Sequence, residues 1–292
     1  MTFEIDWNAA PQHIVAEIAG RAEQLATPCG DGAMVWHRWP GPSPSAPIVV
    51  LYHGGFGSWT HWLKAIPLLN KRFEVITADL PGLGDSANIA PPHTAESIST
   101  IVNHGLDRVL SPSGRCHLIG FSFGGIIAAL SAVHLGERCL GFTAVGAAGF
   151  GSLHHIVEGL KMPRGDLSDA EIDAIHTENL HLLMLADTAS IDPLALHLHR
   201  GNIERGRVRS RRISLSGALL ETLPRITAPI SGIWGALDAT GGGAAAIAER
   251  RRIFQGHQPN CRFTVIVDAG HWIMYERPEP FVEAVFRNIG DR

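Results

Sequence analysis

Residues 116–125 read Cys116-His117-Leu118-Ile119-Gly120-Phe121-Ser122-Phe123-Gly124-Gly125, and the chain from there to Leu135 is dense in alanine, isoleucine and leucine. A short apolar run, then Gly-x-Ser-x-Gly, then a buried-helix composition predicts a strand, a tight turn and a helix, with Ser122 at the turn. A serine lifted above a sheet edge needs a strained turn, and neighbours without side chains let the strand and helix backbones pass closely. The Phe123 amide then falls at the helix N-terminus, aimed where negative charge develops on an attacked carbonyl. Ser122 is therefore the candidate nucleophile.

Outward from this turn the chain alternates between strands and helices. Strands are predicted at Ile48–Tyr52, Phe73–Ala78, Cys116–Ile119, Leu140–Ala147, Ile230–Trp234 and Phe263–Val267. Helical spacing marks residues 96–110, and further helices are expected over Gly124–Leu135, Ala244–Phe254 and Pro280–Ile289. Upstream, Ile14–Val35 predicts a helix and one or two antiparallel edge strands. Continuously apolar strands separated by helices indicate a mostly parallel sheet covered on both faces. Residues 150–215 break the alternation with two helices, Asp169–Leu185 and Pro193–Ile203, the first opened by a Ser168/Glu171 capping box. The expected organisation is an α/β core of residues 1–149 and 216–292 with a helical lid inserted at 150–215, over the sheet edge where ligands bind.

Composition narrows the class. At 292 residues the chain is long enough for about two domains of ~150 residues, but a single large α/β unit also reaches this length. A 45% hydrophobic and 18% charged composition suits a large buried core. The 32 glycines exceed the roughly 20 of average usage and show no period, which excludes collagen-like sequence. A net charge of −4 gives no global footprint for nucleic acid or an anionic membrane. No uncharged stretch reaches the ~18 residues of a membrane span, and Met1–Asp6 does not open like a secretory signal, so a cytoplasmic location is expected. Cys29, Cys116, Cys139 and Cys261 are scattered and read as small buried hydrophobes, not as bridges or a metal cluster.

A serine nucleophile needs a base, an acid to orient the base, and donors for the oxyanion. Among 16 histidines, His271 stands out because it follows the last strand in Val267-Asp268-Ala269-Gly270-His271-Trp272. His53 opens the Gly54-Gly55 loop and is expected to order it. His154, His155, His176, His181, His197 and His199 fall in or beside the insert and read as surface or packing. Asp238 follows the Ile230–Trp234 strand and is the candidate acid; Asp268, three residues before His271, is the rival but aims poorly. The chain order is Ser122, Asp238, His271, one of the known orders for such a set. The Phe123 amide is paired with that of Gly55, or alternatively Phe56, as oxyanion donors. Phosphate and dinucleotide motifs are absent from the glycine-rich loops, and no metal or cofactor is required. Trp59, Phe121, Phe150 and Trp272 are candidate pocket residues for a small-molecule substrate. Arg200, Arg205, Arg207, Arg209, Arg211 and Arg212 form a basic cluster with Glu204. It reads first as a solvated face or a homo-oligomer contact, and second as a holder for a substrate carboxylate.

These motifs resemble the α/β-hydrolase superfamily, in its lidded serine-hydrolase branch of esterases and carbon–carbon hydrolases. His53-Gly54-Gly55 resembles the family's oxyanion loop, and Asp79-Leu80-Pro81-Gly82-Leu83-Gly84-Asp85-Ser86 resembles its structural D-x-P-G-x-G-x-S turn. Trp234–Asp238 and Gly270-His271 are similar to its acid and histidine loops. The resemblance spans residues 47 to 285 and implies an eight-stranded, mostly parallel sheet with the cap inserted after the sixth strand. It departs from the aspartate-nucleophile dehalogenases and epoxide hydrolases at Ser122. It also departs from many carbon–carbon hydrolases, which carry Asn and Met where Phe121 and Phe123 flank the nucleophile. Cofactor-free haloperoxidases share the triad, and that activity is read as incidental. The implied activity is hydrolysis of a small, largely apolar carboxylic ester through an acyl-enzyme. A lactone, an amide or the carbon–carbon bond of a diketone are the alternatives, and a hydrolase-like small-molecule receptor is a further one.

Overall fold

The apolar runs set the architecture because their alternate side chains are buried on opposite sides. In the computed structural model, which describes residues 3–290, Val49 and Leu51 enter one core and Val50 and Tyr52 the other. Eight strands form one sheet: β1 (Glu23–Cys29), β2 (Gly32–Trp39), β3 (Ile48–Tyr52), β4 (Glu74–Ala78), β5 (Cys116–Phe121), β6 (Cys139–Val145), β7 (Ile230–Gly235) and β8 (Arg262–Ile266). Their spatial order is β1-β2-β4-β3-β5-β6-β7-β8. β2 pairs antiparallel with β1 and β4, and the remaining neighbours are parallel. This is the expected α/β-hydrolase fold. The helices Ala95–Val109, Phe123–Leu135 and Gly243–His257 cover one face, and Pro11–Ala19 and Pro278–Ile289 cover the other.

Several element ends differ from those read in the sequence. β5 runs on through Phe121, and the helix starts at Phe123, so Ser122 alone makes the turn. β6 stops at Val145 because the chain reverses at Gly146, at a φ of 46°. The helix from Asp169 keeps its capping box but widens after Asn179 into a π turn, where the Leu185 amide donates to Leu180 O at 2.8 Å. Of the four thiols, all free, Cys261 is only half-buried. Among the described residues no helix is long and apolar enough to cross a membrane.

The excursion between β6 and β7 leaves and returns at one place. Gly149 N–H donates to Ser214 O and Gly151 N–H to Ser216 O, both at 2.9 Å. Half of the basic cluster holds this segment together or to the core. Arg200 pairs with Asp169, Asp173 and Glu204, and Arg205 with Asp85. Arg207 donates to Asn88 Oδ1 at 2.8 Å and to the carbonyls of Gly84 and Ser86. Arg209, Arg211 and Arg212 remain exposed.

The close passage of β5 and its helix sets a steric test. A side-chain carbon at Gly124 would fall 2.4 Å from the carbonyl oxygens of both Tyr52 and His53. Gly124→Ala is expected to destabilise the fold by roughly 1–3 kcal/mol. Gly256→Ala, in an exposed helical position with nothing within 4 Å, should be neutral or stabilise by up to about 1 kcal/mol in urea unfolding. The buried histidines set a second test. Burial drives His37, His53 and His199 down to about 4 and His61 well below its ordinary 6.5. Between those values the unfolded chain binds protons that the fold refuses, so stability present above pH 6.5 is lost as pH falls toward 4. Asp79, raised to about 6 by burial, works in the opposite direction over the same range but is a single group. Thermal midpoints should therefore fall between pH 6.5 and 4; a flat profile contradicts this balance.

Candidate active site

Ser122 sits at φ 51° and ψ −119° between β5 and its helix, a region where non-glycine residues are rare. Its backbone is fixed on every side. Its N–H donates to Val145 O at 2.9 Å, and its carbonyl accepts from the Gly125 and Ala148 amides at 3.0 Å. Over-determination of this kind is what sustains a strained conformation. The Ser122 side chain caps nothing, and among the described residues its hydroxyl has no hydrogen-bond partner, His271 included. In substrate-free sites such bonds commonly tighten only on binding.

Asp238 follows β7 and His271 follows β8, so parallel strands deliver both to the edge where β5 delivers Ser122. His271 Nδ1 lies 3.0 Å from each oxygen of Asp238. A carboxylate can only accept here, so Nδ1 carries the proton and Nε2 is left with its lone pair. Asp238 is 4% exposed and also accepts from the Thr240 amide and hydroxyl, both at 2.8 Å. Burial raises its carboxyl, but the charge that His271 carries when protonated and the His271 and Thr240 hydrogen bonds outweigh burial and hold it below the ordinary value. Asp268 is exposed, with a φ of 57°. The three groups converge around Gly146, next to the Val145 that binds Ser122. A carbon there would lie 3.1 Å from Asp238 Oδ2 and 3.2 Å from His271 Nδ1.

The loop after β3 forms the opposite wall. A carbon at Gly54 would lie 3.2 Å from Ser122 Cβ. His53 accepts from the Leu80 amide through Nε2 at 2.9 Å, so its Nδ1–H donates to Gly54 O at 2.7 Å. This fixes the loop to the turn after β4. The amides of Gly55, Phe56 and Phe123 have no partner among the described residues, and Phe56 adopts a φ of 48°. Unpaired amides beside a serine are what a developing oxyanion needs.

The proposed pocket residues separate into two groups. Phe121 lies under the site, its ring centroid 4.8 Å from that of His271. Trp272 is buried beside His61, donating to His61 O at 2.7 Å. Trp59 packs on Trp39 and His37, and Phe150 packs on Trp234 and Phe254 in the core layer opposite Phe121. Some supporting residues carried no recognisable signal in the sequence. Thr240 orients Asp238, and Glu276 accepts from the Gly270 and Asp187 amides, bracing the His271 loop against the insert. His61 accepts from the Gly54 amide at 3.3 Å. Their partners are distant in the chain or lie on loops, where periodicity says nothing.

A sequence profile of the alpha/beta hydrolase family matches residues 48–284. The chain is similar to a pimeloyl-[acyl-carrier protein] methyl ester esterase of Aeromonas hydrophila, 32% identical over 97 residues, covering 32% of this chain and 34% of that protein. That match spans about a third of the esterase's length. A 2-hydroxy-6-oxononadienedioate/2-hydroxy-6-oxononatrienedioate hydrolase of Paraburkholderia phymatum is 25% identical over 255 residues, covering 83% of this chain and 86% of that one. Among solved structures, naproxen esterase (carboxylesterase NP) of Bacillus subtilis superposes with a TM-score of 0.72 at 19% identity, covering 99% of this chain and 100% of that one. That likeness is one of fold. The profile match covers the sheet from β3 onward and every element that carries Ser122, Asp238 and His271, and the chain belongs to the alpha/beta hydrolase family.

Proposed function

We propose that this protein is a serine hydrolase that cleaves a small, largely apolar carboxylic ester through a covalent acyl-enzyme. The observation that carries the reading is the His271–Asp238 contact at 3.0 Å beside a serine held at φ 51°. His271 Nε2 takes the Ser122 hydroxyl proton as Oγ attacks the ester carbonyl, and Asp238 stabilises the resulting imidazolium. The carbonyl oxygen becomes an oxyanion held by the amides of Phe123 and Gly55, with Phe56 as the neighbouring donor. The tetrahedral intermediate collapses, His271 gives its proton to the departing alcohol, and the acyl group stays on Ser122. A water molecule, deprotonated by the same imidazole, then attacks the acyl carbon and releases the acid.

The apolar preference is supported by Phe121, whose buried ring packs against His271. The insert of residues 150–215 acts in this reading as the lid. A second reading, cleavage of a carbon–carbon bond in a diketone, is favoured by the Paraburkholderia relative, whose match runs nearly full length. Phe121 and Phe123 offer no polar group to a dienoate, which keeps the ester reading first.

The test is hydrolysis of short aryl esters, lactones and a vinylogous diketone by the wild-type chain and two variants. Esters should turn over fastest. Ser122→Ala should lose at least on the order of 10⁴-fold in kcat while remaining folded by circular dichroism. Asp238→Asn should lose on the order of 10³- to 10⁴-fold, because an amide no longer selects the Nδ1–H tautomer. Preferential turnover of the diketone would move the assignment to the second reading, and full activity of Ser122→Ala would end both.

A further inference from the structure

The insert lays the side chain of Ser210 against Gly55 in the loop after β3. Ser210 is 4% exposed, and its hydroxyl has no hydrogen-bond partner among the described residues. A side-chain carbon at Gly55 would lie 2.2 Å from Ser210 Oγ, 3.3 Å from Ser210 Cβ and 3.8 Å from Phe123 Cβ. Ser210 Oγ therefore rests directly on Gly55, on the side that faces Phe123. The absence of a side chain at Gly55 is what leaves it room.

This position is built. On one side the Arg207 amide donates to Gly82 O at 2.9 Å, and the Val208 side chain fills the space that a carbon at Gly82 would take. On the other, Ser210 O accepts from the Ser214 amide at 2.9 Å, and Ile213 is buried. Ser210 is thus clamped between two anchors, with buried Val208 and Ile213 as its apolar neighbours in the chain. Bonded to no other described group, the Ser210 hydroxyl is free to donate into the space beside Gly55 and Phe123.

We propose that Ser210 is a third hydrogen-bond donor to the carbonyl oxygen of the bound acyl group, supplied by the insert to a site that the sheet edge furnishes with two amides. The inference rests on the serine-ester reading above. Ser210 keeps its proton throughout; its O–H donates to the carbonyl oxygen and strengthens that bond as negative charge accumulates in the tetrahedral intermediate. Such a donor acts mainly on kcat, since the charge it meets exists only beyond the ground state. It also makes the oxyanion site complete only while residues 206–214 are docked on the glycine turn.

The experiment compares wild type, Ser210→Ala and Ser122→Ala on an aryl ester, with binding of an aryl trifluoromethyl ketone measured alongside. Ser210→Ala should lower kcat by on the order of 10- to 100-fold with little change in KM, and weaken the ketone by a similar factor. Its unfolding midpoint should be unchanged or raised, because the hydroxyl supports no other group. A wild-type kcat and ketone affinity in Ser210→Ala, with Ser122→Ala inactive, would overturn the Ser210 inference alone. Retained turnover in Ser122→Ala would instead overturn the serine-ester reading beneath it.

Discussion

The chain reversal at Ser122 is the constraint on which the rest of the candidate site depends. A serine at φ 51° is unfavourable in isolation, and it persists because β6 and the following helix occupy both of its backbone groups. The reversal also requires β5 and the helix to pass at backbone distance. A carbon at Gly120 would meet Gly124 O at 2.4 Å, and one at Gly125 would meet Ala147 Cβ at 2.5 Å. The glycine excess of the composition is partly spent here, where backbone must approach backbone. The same reversal that raises Ser122 also leaves the Phe123 amide at the first turn of a helix, where no carbonyl precedes it to accept. The strain, the placing of Ser122 and the unpaired Phe123 amide beside it are consequences of one local geometry.

Around that point the loops at the sheet edge hold one another through polar contacts that span the chain. Asp79 accepts from the Trp59 and Asp85 amides at 2.7 and 2.9 Å, tying the segment after β3 to the glycine turn. The insert is joined to both. Asn202 accepts from Ser58 at 2.7 Å and donates to Thr60 at 3.1 Å, while Arg207 grips the carbonyls of the turn. The Trp272 amide donates to Met184 O at 2.7 Å, so the histidine loop also meets the insert. Burial of these groups makes each bond costly to break unless water replaces it. The insert is therefore a stitched layer and not a loose flap, and half of the arginine cluster, Arg200, Arg205 and Arg207, is occupied in holding it.

The sheet was legible because its strands are short apolar runs bounded by glycine and proline, and because helices separate them. Ser122, Asp238 and His271 were legible for a related reason: each follows a strand, so a parallel sheet must bring their loops to one edge. What sequence could not carry is the packing side of a residue beyond a reversal. Phe150 follows β6 as Phe121 ends β5, yet the turn at Gly146 sends Phe150 to the opposite layer against Trp234. Nor did sequence indicate Thr240, Glu276, His61 or Ser210. Ser210 meets Gly55 only after the insert folds back across the edge, a contact between segments that share no periodic pattern. The arginine cluster read as a solvated face for the same reason: the carbonyls of Gly84 and Ser86 that satisfy Arg207 belong to a turn far upstream.

The central claim is that Ser122 is the activated nucleophile of this edge, and covalent trapping tests it most directly. Intact mass spectrometry of the folded protein after a fluorophosphonate probe, followed by peptide mapping, should show one adduct, on Ser122. That adduct should be absent from Ser122→Ala and formed far more slowly in a His271→Ala variant. An adduct on another residue, or none in a protein that still hydrolyses esters, would contradict the account.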